Sequence, residues 1–189
     1  VDELERLLAP GMEPDQLLSV SARAVFAANQ AVREAAAESE AYQNMGTTLV
    51  AAVSYAGGTV VTNVGDSRAY HVTREGITRV TKDHSLVERM VDRGDITAEE
   101  ARRHPSRNLI TRALGPDADA QCDGYICPME SGEYLLLCTD GLVNTVTDQE
   151  MLFEVIHGAE PDTSLDRMLE IAKKQGAPDN VTAVLMRKL

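Results

Sequence analysis

From about Asp15 to Glu40, apolar residues recur at every third or fourth position among many alanines, which is the period of one helix face. Asp15, behind Pro14, offers an N-cap, so the pattern predicts a long amphipathic helix. After Gly46 the period shortens. TTLVAAVSY and TVVTNV are rich in β-branched residues and joined by a glycine-containing turn, which predicts a hairpin. The polar interruption Gly65-Asp66-Ser67-Arg68 precedes short candidate strands at AYHV and TRVT. Neighbouring strands linked by short polar turns predict an antiparallel meander in place of βαβ units.

Between His84 and Gly115 the chain becomes charged, with helical spacing at Leu86, Met90 and Val91 and a capping box from Thr97 to Glu100. Short helices and loops are expected there, forming either a mobile flap beside a site or a plain solvated excursion. CDGYICPM and EYLLLCTDGL predict two more strands, the second an unbroken apolar run ending at Thr139-Asp140-Gly141, as suits a strand buried on both faces. Amphipathic helices at DQEMLFEVIHG and SLDRMLEIAKKQG, each closed by a glycine, lead to Pro178-Asp179-Asn180 and a last strand in VTAVLMRKL. No repeat, low-complexity tract or linker divides the chain, so 1–189 reads as a single domain.

Composition narrows the function. A formal charge of −12 argues against a nucleic-acid partner, whose phosphates need clustered Lys and Arg. No stretch reaches the ~20 apolar residues of a membrane span, and VDELERLLAPG lacks the basic start and apolar run of a secretory signal, so a soluble, cytoplasmic protein is expected. Cys122, Cys127 and Cys138 form neither a CxxC pair nor an even set and read as buried small hydrophobes in a reducing compartment. His71, His84, His104 and His157 lack metal-ligand spacing and read as surface or capping residues.

Three aspartates stand out: Asp66 in VGDSR, Asp140 in CTDGL and Asp179 in PDNVT each lie where an apolar strand meets a tight polar turn. A carboxylate at a strand end is rigidly held yet points to solvent, the placement that hard oxygen ligands need. Each aspartate alone reads first as an ordinary turn former. Together, without a thiol or imidazole cluster, they favour Mg²⁺ or Mn²⁺ over zinc.

The ordered motifs MGTTLVAAV, TNVGDSRAYHV, RVTKDHSLVERMV, NLITRALG, EYLLLCTDGL and PDNVTAVLM closely resemble the bacterial branch of the metal-dependent type 2C protein serine/threonine phosphatases. The resemblance implies an α+β fold, an antiparallel β-sandwich flanked by α-helices in four layers. It implies hydrolysis of phosphoserine and phosphothreonine in proteins phosphorylated by a serine/threonine kinase, with two Mn²⁺ or Mg²⁺ ions and a third, weaker site. On the matching positions, Asp140 and Asp179 correspond to metal ligands, and Asp66 to a ligand of the third metal shared with Asp140. Asn180 then supports a neighbouring ligand, and 84–115 corresponds to the flap subdomain.

One departure matters. The family carries a phosphate-holding arginine and a metal-bridging Asp-Gly motif ahead of the long helix, and residues 1–44 contain only Asp2 and Asp15, neither followed by glycine. With Val1 as first residue, the expectation is a domain incomplete at its N-terminus, lacking its first strands and weakly active or inactive as it stands. The alternative function is a non-catalytic pseudophosphatase serving as a binding or regulatory module. Missing strands would also leave an exposed sheet edge able to pair two copies into a homodimer, an expectation that a strictly monomeric mass in light scattering would contradict.

Overall fold

A short helix, α1 (Asp2–Leu7), precedes the long helix α2 (Pro14–Ala37), whose start is set by Pro14. The proline ring holds φ near its helical value and lacks the N–H that a first turn leaves unpaired. Pro14 therefore opens the helix, and the cap falls to Glu13, not to the expected Asp15. Gln16 Oε1 reaches back to accept from the Glu13 N–H at 2.9 Å. The helix stops short of Glu40 because the Ser39 side chain accepts from the Ala41 N–H and opens a 3₁₀ turn over Glu40–Tyr42. The structure, a computed structural model, describes residues 1–158 and 161–189.

Strands β1 (Leu49–Tyr55) and β2 (Gly58–Val64) form the expected hairpin, with Leu49 opposite Val64 and Tyr55 opposite Gly58. The chain then changes sheet. β3 (Arg68–Val72) and β4 (Ile77–Arg79) pair with each other and not with β2, so the meander expected from the sequence is split between two antiparallel sheets. One has the order β1-β2-β5, with β5 at Asp123–Pro128. The other runs β4-β3-β6-β7, with β6 at Tyr134–Cys138 and β7 at Ala183–Arg187. The divergence occurs at Gly65, whose φ of +107° is a backbone state that glycine adopts without steric cost. A Cβ there would come 2.3 Å from Thr48 Cγ2. Strand β4 also starts earlier than TRVT, and Val80 and Thr81 follow β3 through single bonds to Ala69, of 2.8 Å and 2.9 Å.

Side-chain alternation sorts the core into layers. Ala69 of β3 and Leu135 of β6 meet Val61 of β2 and Cys127 of β5 between the sheets. Their sequence neighbours Tyr70, Val72, Leu136 and Cys138 point the other way, against Met151, Val155, Met168 and Ala172 of α6 (Asp148–His157) and α7 (Pro161–Lys174). This two-sided cover explains the unbroken apolar run of β6. On the opposite face, Val25 and Val32 of α2 pack on Val64 and Leu49. The layers are thus helix, sheet, sheet, helix, the α+β sandwich expected from the sequence.

The 84–115 segment carries two helices, α3 (Leu86–Arg93) and α4 (Ala98–Arg103), capped by Ser85 and by the Thr97–Glu100 capping box. A further helix, α5 (Asp140–Val143), follows β6 directly where only a turn was expected. Helix α6 does end at Gly158, but with φ −66° and ψ 135° in place of a left-handed cap. Cys127 and Cys138 are buried as expected, whereas Cys122 is half-buried.

Candidate functional site

Strand register fixes where the three aspartates lie. Arg68, Cys138 and Ala183 stand side by side across β3, β6 and β7. Asp66 comes just before Arg68, Asp140 just after Cys138 and Asp179 shortly before Ala183. Because the strands are antiparallel, a start, an end and a start fall at one rim of the sheet.

Backbone contacts hold the two carboxylate turns of β6 and β7 together. The Thr139 N–H donates to the Thr182 carbonyl at 3.0 Å, and the Thr182 N–H donates to Thr139 Oγ1 at 3.0 Å. Thr139 Oγ1 donates in turn to the Asn180 carbonyl at 3.3 Å. Gly141 has no side chain to keep these segments apart, since a Cβ there would lie 2.3 Å from the Asn180 oxygen. The Asn180 N–H donates to Asp179 Oδ1 at 2.7 Å and so orients that exposed carboxylate.

The turn carrying Asp66 is braced differently. Thr48 Oγ1 lies 2.8 Å from Ser67 Oγ. Arg68 makes a two-pronged ion pair with Asp83, Nη2 to Oδ2 at 2.7 Å and Nε to Oδ1 at 2.9 Å, and its Nη1 donates to the Tyr70 hydroxyl at 3.1 Å. The Gly65 carbonyl accepts from the His84 N–H at 2.9 Å and from Asn63 Nδ2 at 3.2 Å. The motifs around Thr48, Gly65 and Asp83 therefore interlock. The sequence singled out nothing at Asp83 and made His84 a surface or capping residue; both are buried. Their adjacency in KDHS was the available signal, but their partners are remote in the chain.

Electrostatics couples the rim. Burial, and then the charge of Asp140, pushes the Asp66 carboxyl up to about 6, although the Arg68 guanidinium acts against the shift. Asp140 is also raised, by burial and then by the charge of Asp179. Asp140 is thus the middle member, within charge range of both others. Among the described residues, no three Asp, Glu, His or Cys side chains form a ready-made metal-ligand group. The donor set nevertheless fits a hard cation: these are carboxylate oxygens, and a positive ion would relieve the repulsion that raises Asp66 and Asp140.

A pH dependence follows. A folded-state value above the ordinary 3.8 means that the protonated form of Asp66 is favoured in the fold. Its stabilising contribution is full below that ordinary value and disappears as pH rises through about 6. In chelator, Asp66→Asn is expected to stabilise the chain at pH 7 by about 1–2 kcal/mol, discounted for the solvent reaching the group, and to change nothing at pH 3.5. Thermal melts at the two pH values check this; equal gains at both would contradict it.

Comparison with known proteins agrees with this architecture. The family described as Protein phosphatase 2C matches residues 1–186. A serine/threonine phosphatase stp from Listeria innocua is 38% identical over 153 residues, covering 80% of this chain and 61% of that protein. The structure of serine/threonine phosphatase Stp1 from Staphylococcus aureus superposes with a TM-score of 0.91 at 33% identity, covering 100% of this chain and 74% of that one. A PstP catalytic domain in complex with two manganese ions gives a TM-score of 0.81 at 33% identity, covering 97% of this chain and 76% of that one. The chain spans about 61% of the length of the first such curated relatives. With nearly every residue matched, this chain belongs to the protein phosphatase 2C family.

Proposed function

We propose that this chain carries the Asp66, Asp140 and Asp179 part of a metal-dependent protein serine/threonine phosphatase site. The observation that carries the reading is the register Arg68–Cys138–Ala183, which brings three sequence-remote carboxylates to one rim. The names of similar proteins, and the two manganese ions in the PstP structure, support phosphoprotein substrates and Mn²⁺ or Mg²⁺ as cofactor. Nothing observed favours the non-catalytic module.

In this reading Asp140 and Asp179 would hold the principal ions, Asp66 and Asp140 would hold a third, and the Asn180 backbone orients Asp179. When bound, such ions supply Lewis acidity toward a phosphate and a water of lowered pKa as nucleophile. The chain's own residues keep the carboxylates fixed: the Thr139 contacts hold the Asp140 and Asp179 turns together, and Arg68 tempers the negative charge of Asp66 and Asp140. The helical 84–115 segment stands at the Asp66 turn through His84 and is proposed as the flap that meets substrate. Three free thiols fit a reducing, cytoplasmic setting.

Residues 1–44 hold no Asp-Gly pair, and these 189 residues are expected to be weakly active or inactive. The test is phosphate release from a phosphothreonine peptide with Mn²⁺ and with EDTA. A slow, Mn²⁺-dependent rate abolished by Asp140→Ala supports the proposal. A rate unaffected by EDTA or by that substitution contradicts it.

A further inference from the structure

His84 is 6% exposed and lies at the root of the 84–115 segment. Its backbone N–H donates to the Gly65 carbonyl at 2.9 Å, and its carbonyl accepts from the Thr111 N–H at 2.7 Å. Its ring Nδ1 accepts from the Gly65 N–H at 3.1 Å. An amide N–H only donates, so Nδ1 is the unprotonated nitrogen and a neutral ring carries its proton on Nε2. Nε2 lies 3.2 Å from Asp123 Oδ2, to which it donates. Arg112 Nη1 is also 3.2 Å from Nε2, but two donors do not bond, and the guanidinium bonds to Asp123 Oδ1 at 2.7 Å. The ring thus bridges the Gly65 amide and a carboxylate on β5.

Both hydrogen-bonding groups of Gly65 are therefore held by one residue. Gly65 is the left-handed residue directly before Asp66, so its two peptide planes set the direction from which Asp66 leaves the backbone. The returning arm of the segment closes on the same point, through the Ser85–Ile110 bridge and the Leu86 N–H to Leu109 carbonyl bond of 2.8 Å. We propose that His84 is a positioning residue that fixes the Asp66 carboxylate through Gly65 and ties it to the base of the 84–115 segment. The proposal rests on the reading of Asp66 as the ligand of a third, weaker cation.

Amide isosteres separate the two ends of the ring. In His84→Asn the side-chain oxygen takes the place of Nδ1 and keeps the Gly65 bond. In His84→Gln the amide reaches toward Asp123 and the Gly65 bond is lost. Mn²⁺ uptake is followed by electron paramagnetic resonance on the whole 189-residue chain, and Gly65 amide hydrogen exchange is followed in chelator. Asp66→Ala identifies the uptake step that depends on Asp66. The expected result is that His84→Gln weakens that step by about tenfold or more and speeds Gly65 exchange, whereas His84→Asn stays within about twofold of the parent in both.

Equal behaviour of the two isosteres, or an Asp66-dependent step unchanged in His84→Gln, overturns the role of His84 and leaves the reading of Asp66 standing. No Mn²⁺ uptake, or uptake unchanged by Asp66→Ala, overturns both. Should His84→Gln fail to fold, Asp123→Ala removes the acceptor of Nε2 and leaves the Gly65 bond in place. Like His84→Asn it is expected to stay within about twofold of the parent, and a tenfold loss of the step would put the Asp123 contact, not the Gly65 bond, in control and overturn the proposal.

Discussion

Asp83→Ala is expected to lower the stability of the chain by about 3 kcal/mol, near the low end of what breaking a buried ion pair costs. Asp83 is 9% exposed and receives the two-pronged bond of Arg68. Its removal leaves the Arg68 guanidinium, among the described residues, with the Tyr70 hydroxyl as its remaining side-chain hydrogen-bond partner. That guanidinium cannot escape by losing its proton, because an arginine keeps its charge at any pH at which the chain is folded. About a quarter of the Arg68 side chain meets solvent, which places the cost at the low end. For a chain of this size the midpoint should fall by about 6–12 °C. The double variant Arg68→Met with Asp83→Leu should recover much of the loss, since the charge is then gone. A double variant as unstable as Asp83→Ala in a thermal melt would show that the unpaired charge is not the cause.

Gly141→Ala is expected to damage the site more than the fold. The added methyl carbon would sit 2.3 Å from the Asn180 oxygen and 3.0 Å from its carbon, both backbone atoms of the turn that carries Asp179. That turn must withdraw, and Asp179 withdraws with it, from an Asp140 whose own position in α5 is set by β6. Overpacking of this kind costs about 1–3 kcal/mol, while displacing one carboxylate should reduce Mn²⁺ affinity by about tenfold or more. Gly76, around which nothing lies within 4 Å, serves as the control, and Gly76→Ala should change neither quantity. Undiminished Mn²⁺ affinity in a folded Gly141→Ala chain would mean that Asp140 and Asp179 do not act together.

Much of this organisation was readable in the sequence, for definite reasons. LVAAVSY and GTVVTNV read as a hairpin because their β-branched residues suit a pleated sheet, and the unbroken YLLLC run reflects cover on both faces. The three aspartates stood out because each lies where an apolar strand meets a tight polar turn. Their common rim depends on register between β3, β6 and β7, which periodicity does not specify. The split of the meander turns on one glycine, Gly65, whose conformation reads locally like any other turn. Helix α5 is only four residues long and has no period to detect. The burial of Asp83 and His84 depends on Arg68, Gly65, Thr111 and Asp123, partners that meet them only after folding.

Uptake of Mn²⁺ by the 189-residue chain, measured by paramagnetic resonance in the parent and in Asp140→Asn, tests the shared rim most directly. Asp140 is the member coupled to both other carboxylates, so its neutral isostere should lower the affinity by about tenfold or more. The same change at the exposed Asp92 should leave it alone. Equal uptake by the parent and Asp140→Asn would contradict a cation site built on this rim.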